Sequence, residues 1–163
     1  MDYAQMREPT LFLQIALMFV GTAPSSTGGG VKVTTLALLV LVLLAQAQGQ
    51  EEVSAFGRRV PRQLIQKALA VLSLSALLVV AASLMLMVSD DLGLLPAIFE
   101  ITSAFGTVGL SLNVTPELSP FGKLLVVVVM FLGRVGPITL ILALAARQKV
   151  RGYAYPQEDI ALG

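Results

Sequence analysis

Residues 68–89 (ALAVLSLSALLVVAASLMLMVS) run for 22 positions without a charged side chain. At about 1.5 Å per residue a helix of that length measures roughly 33 Å, against a hydrocarbon core of about 30 Å. The segment predicts a membrane-spanning helix. Pro61 sits near its start, where a missing N–H costs nothing in a first helical turn. The rest of the chain agrees, since 56% of its 163 residues are hydrophobic and only 13% are charged, more apolar than a soluble domain. With no Cys and no His, disulfide frameworks, zinc sites and the common nucleophiles and bases drop out, so the chain does not read as an enzyme. A formal net charge of +1 gives no electrostatic footprint for nucleic acid.

A second span is expected from Leu124 to Ala146, broken by a single charge, Arg134. A mid-helix arginine costs about 2.5–3.5 kcal/mol on insertion scales, and the surrounding Leu, Val, Ile and Phe residues carry it. Arg134 must then face protein or water. Ser119-Pro120 reads as an N-cap followed by the first helical residue, and Pro137 with Gly133 and Gly136 predicts a kink.

The N-terminal third holds two short apolar stretches, 10–21 and 34–48, separated by a run rich in Gly, Ser and Thr. As helices they reach about 18 and 22 Å, so neither crosses alone, and together they make one crossing with an unwound centre. Irregular backbone at membrane depth survives only in protein or beside a water-filled cavity, which points to a permeation path. A nucleotide-binding reading of 21–32 fails: Val31 separates Gly30 from Lys32, and a G-x-G-x-x-G match needs glycine at 33.

Between the clean spans, Pro96 to Phe105 predicts a half-depth helix of about 15 Å, from which the chain returns through Gly106-Thr107-Val108-Gly109-Leu110-Ser111. Thr107-Val108-Gly109 shares three letters with the potassium filter TVGYG, whose carbonyls replace the ion's hydration shell. The match gains meaning from its place, at the C-terminal end of a half-length helix between two spans. Leu110 and Ser111 stand where glycine would open positive φ, so a less stringent selectivity for large alkali cations is expected. Glu100, on the same helix, reads as a structural partner behind the filter or as an ion ligand. Arg134 is expected to hold the loop 22–30 across the path as an electrostatic barrier. Lys32 and the run Arg58-Arg59-Val60-Pro61-Arg62 read as topology signals.

Basic residues cluster in 49–67 (Arg58, Arg59, Arg62, Lys67) and in the tail (Arg147, Lys149, Arg151), which places both in the cytoplasm and the N-terminus outside. The N-terminus lacks the basic region of a signal peptide.

Five stretches in order, GTAPSSTGGGVKVTT (21–35), FEITSAFGTVGLS (99–111), TPELSPFGK (115–123), MFLGRVGPITL (130–140) and YPQEDIALG (155–163), resemble the Trk/Ktr/HKT superfamily of potassium transporters, in particular the KtrB-type translocation subunit. The resemblance implies an all-α integral membrane protein built from helix, pore loop, helix repeats of potassium-channel type, about one and a half of the family's four being present here. On that map 1–50 is the second helix of the third repeat, broken by a gating loop at 22–30, and 51–60 is a cytoplasmic loop. The fourth repeat is 61–149, with its pore helix at 96–105 and filter at 106–111, and 150–163 is a cytoplasmic tail. The implied filter residues are Thr107, Val108, Gly109 and Leu110, holding potassium through backbone carbonyls. The implied gate is Ser25, Ser26, Thr27, Gly28, Gly29, Gly30 and Arg134. No cofactor is implied; potassium is the transported ion, with sodium as the candidate coupling ion. Implied partners are the N-terminal repeats of the same transporter, a second copy in a homodimer, and a cytoplasmic ring of nucleotide-binding regulatory subunits. Localisation is the plasma (inner) membrane, multi-pass.

The expected function is potassium uptake as part of the ion-translocating subunit, the chain being a C-terminal fragment that is inactive alone. Two alternatives stand beside it: a stand-alone homotetrameric cation channel, in which the broken helix has no role, and a non-transporting remnant.

Overall fold

The computed structural model describes residues 6–24, 26–50, 53–55 and 58–136. Five α-helices lie among them: α1 (Glu8–Phe19), α2 (Val33–Ala47), α3 (Arg62–Asp90), α4 (Leu94–Gly106) and α5 (Pro120–Val135). A two-residue hairpin, β1 (Ser54–Ala55) against β2 (Arg58–Arg59), joins α2 to α3. This mostly helical architecture fits an all-α membrane protein.

α3 is the charge-free run extended at both ends. Its 29 residues rise about 43 Å, more than a hydrocarbon core is thick. It starts at Arg62, with Pro61 in the capping position outside it, and stops where Asp91 turns left-handed at φ 51°. Its outer face carries Leu77, Val80, Leu84 and Val88, all exposed. So long an apolar face needs lipid or protein to cover it.

α5 begins as its sequence predicts: the Ser119 hydroxyl accepts the Gly122 N–H at 3.0 Å and Pro120 occupies the first helical position. Ser119 in turn donates its own N–H to the Asp90 carboxylate, which ties the end of α3 to the start of α5. The kink read at Pro137, and the span beyond it, lie outside the described residues.

α1 and α2 are two short helices, as the 10–21 and 34–48 stretches predict, but shifted toward the N-terminus. α1 begins at Glu8 because Pro9 fits a first turn. It ends at Phe19 because the backbone beyond pairs elsewhere. The Gly21 N–H donates to Val31 O at 2.7 Å and the Val31 N–H to Phe19 O at 3.2 Å, a parallel bridge between Val20 and Val31. The chain therefore leaves the helical path at 21, returns to the same place at 31, and continues in the same direction into α2. α1 and α2 are thus joined through a neck closed by one backbone bridge.

α4 is the centre of the molecule. It packs against α1, α3 and α5, and every residue from Phe99 to Gly106 is buried. Phe105 stacks on Phe19 with ring centroids 5.8 Å apart, and Ile101 and Phe105 join Val31, Leu86 and Val129 in the main core. Phe99 belongs to a second cluster with Leu11, Met18 and Leu112. Pro96 is tolerated as the third helical residue, where its N–H has no helical partner to lose.

Candidate ion filter and gating loop

The C-terminus of α4 ends in a Schellman arrangement. The Thr107 N–H donates to Ala104 O at 3.0 Å and the Val108 N–H to Ser103 O at 2.9 Å, with Thr107 left-handed at φ 53°. That position usually belongs to glycine, because a β-branched residue there is strained. Thr107 is kept in it by a contact from far along the chain: the Gly29 N–H donates to Thr107 Oγ1 at 2.8 Å. The adjacent Gly30 N–H donates to Phe105 O at 3.1 Å.

The loop between α1 and α2 thus lies directly against the last residues of α4. The approach is backbone to backbone. A Cβ on Gly29 would stand 2.6 Å from Phe105 O, so no side chain fits at that point. Lys32 closes the other side of the loop, its ammonium donating to Gly28 O at 2.7 Å. It does more than a topology signal requires. Ser26 and Thr27 are exposed at the tip, Gly29 is buried, and Ser25 lies outside the described residues.

After Thr107 the chain is extended past α4. Val108 and Gly109 are exposed, Leu110 and Ser111 are half-buried, and Leu112 returns to the core. Gly109 has φ 81°, while Leu110 and Ser111 stay out of the positive-φ region, in line with what their side chains permit. The Leu110 N–H donates to Ser103 Oγ at 2.9 Å.

Glu100 settles between its two readings in favour of a structural partner. It is 4% exposed, and Oε1 accepts the Ser111 hydroxyl at 2.6 Å and the Leu112 N–H at 2.9 Å. Its Oε2 accepts the Thr115 hydroxyl at 2.8 Å. Glu100, Ser103, Thr107, Ser111 and Thr115 line a cavity of about 250 Å³ between α4, α5 and the extended segment. Ser103 and Thr115 escaped the sequence reading. The spacing of Glu100 and Ser103, one turn apart on one helix, is a signal that could have found Ser103; nothing local marks Thr115.

Arg134 lies next to Gly133 near the end of α5. It is exposed on the last turn of α5, and among the described residues no hydrogen bond joins it to 22–30. Its neighbour Gly133 makes the close contact instead, abutting the Phe105 carbonyl so tightly that a Cβ would collide with it.

The arrangement offers backbone carbonyls at the end of a buried helix, flanked by a glycine loop, with no group of three or more His, Cys, Asp or Glu among the described residues. Residues 1–151 match the family TrkH, described as a cation transport protein, and the chain belongs to that family. It is 40% identical over 162 residues to the Ktr system potassium uptake protein D of Bacillus subtilis, covering 99% of this chain and 36% of that protein. It is 36% identical over 163 residues to the Ktr system potassium uptake protein B of the same organism, covering 100% of this chain and 36% of that one. The potassium/sodium uptake protein NtpJ of Enterococcus hirae is 38% identical over 168 residues, with 99% and 37% covered. The chain spans little more than a third of the length of these relatives.

Proposed function

We propose that this chain supplies the last one and a half repeats of a potassium uptake pathway in the plasma membrane. In this reading α4 is a pore helix, Thr107 to Leu110 form one quarter of a carbonyl filter, and 22–30 is a gating loop beneath it. The observation that carries the reading is the pair of bonds from Gly29 to Thr107 and from Gly30 to Phe105. They seat an unwound membrane-depth segment on the inner end of the carbonyl-bearing turn, where a plug acts on an ion leaving the filter. The N-terminus is outside and the C-terminus cytoplasmic. The remaining filter quarters come from the N-terminal repeats, and the whole pairs as a homodimer on a cytoplasmic regulatory ring. Potassium is the transported ion and sodium the candidate coupling ion.

The test joins the chain to the N-terminal remainder of the B. subtilis protein D and measures rubidium uptake in cells deficient in potassium uptake. Potassium-competed uptake by the joined protein, with none into liposomes holding the chain alone, supports the proposal. Flux from the chain alone would instead favour a self-assembling channel, and silence from both would sink the transport reading.

A further inference from the structure

We infer that Glu100 and Ser103 are the positioning residues of the filter, which aim its carbonyls in place of the second glycine of TVGYG. The inference rests on the filter reading above. Its starting point is which way each peptide unit faces. A trans peptide is planar and its C=O points opposite to its N–H, and the described residues contain no cis bond. The Leu110 N–H points back at Ser103 Oγ and the Leu112 N–H at Glu100 Oε1. The carbonyls of Gly109 and Ser111 therefore point away from α4. The Val108 N–H points at Ser103 O, so the Thr107 carbonyl also faces away from the helix.

Three carbonyls, on Thr107, Gly109 and Ser111, are thus turned to one side by acceptors spaced one helical turn apart on the other. This adds the Ser111 carbonyl to the filter set. Between 108 and 112 the one positive φ is at Gly109, 81°; beyond it, side-chain acceptors do what a second glycine does in TVGYG. Glu100 acts twice on this segment, since it also holds the Ser111 hydroxyl, and its other oxygen fixes Thr115 at the far end. Glu100 does not face an ion in this arrangement. It is spent on three donors and sits behind the carbonyls.

Selectivity and backbone protection test the inference separately from transport. In the joined protein, Glu100→Ala and Ser103→Ala are each expected to lower the preference for potassium over sodium about tenfold, of the order of one buried hydrogen bond, at normal membrane abundance. Glu100→Gln, which keeps one acceptor oxygen, falls between them and the parent. Thr102→Val, a buried neighbour on α4 with no hydrogen-bond partner, controls for general packing damage and leaves the preference unchanged. An unchanged preference in Glu100→Ala overturns the inference, as does an equal fall in Thr102→Val. In the purified chain, hydrogen exchange is expected to quicken at Leu112 in Glu100→Ala and at Leu110 in Ser103→Ala. If the unsubstituted protein moves no potassium, the transport reading fails, and this exchange result alone decides whether the two side chains position the segment: unchanged rates reject it.

Discussion

At the residue scale the site depends on two backbone conformations. Gly109 sits at φ 81° with open space around its missing Cβ, so the constraint on it is purely conformational. Gly109→Ala is expected to cost about 1 kcal/mol or more in local strain and to weaken potassium preference, read as sodium competition against rubidium uptake. Thr107 is the opposite case, a strained residue held by an external bond. Thr107→Val keeps the shape and the β-branch but removes the acceptor for the buried Gly29 N–H. Losing a partner in that way costs about 1–3 kcal/mol, and faster amide exchange at 29 and 30 is the expected readout. Exchange unchanged at both positions would show that Thr107 does not hold the loop.

At the element scale, helix termini carry the assembly. Ser119→Ala removes the α5 cap and is expected to lower stability by about 1 kcal/mol, visible as a lower melting temperature in detergent. Gly133→Ala forces α5 away from the Phe105 carbonyl and should cost more, because the obstacle is backbone with no rotamer to change. Much of this level was legible in the sequence. The charge-free run marked α3, Ser119-Pro120 marked the start of α5, and Pro96 to Phe105 marked most of α4. These signals are local, since each rests on hydropathy or on one capping residue. The parallel bridge from Val20 to Val31, the Gly29 bond to Thr107 and the Asp90 bond to Ser119 were not legible. Each joins residues far apart in the chain through a backbone group, which carries no side-chain signature. The short hairpin inside the loop 51–60 was missed for a related reason: two-residue strands are too brief for any alternation to register.

At the scale of the whole molecule, the distribution of basic residues predicts which ends face the cytoplasm. The chain has no cysteine, so a single introduced one reports without background. A cysteine at Ser54 is expected to react with a membrane-impermeant maleimide only from the cytoplasmic side, and one at Asn113 only from outside. Labelling of both from the same side would overturn the topology. The buried centre of the molecule is α4, while the longest helix, α3, turns much of its apolar surface outward. That is the reverse of a soluble fold, where the longest apolar run is the one most hidden.

The clasp at Val20 and Val31 sets how force reaches the glycine loop. Because the two strands of its stem are bonded to each other, segment 22–30 hangs from a closed neck, like a flap on a fixed hinge. Among the described residues, the contacts that hold this loop to α4 are its bonds to Thr107 and Phe105, and parting them leaves the Val20–Val31 bridge intact. On the reading proposed above, a pathway closed by this loop opens without parting the neck between Val20 and Val31. On that reading its opening is expected to respond to ions and partners that touch the loop.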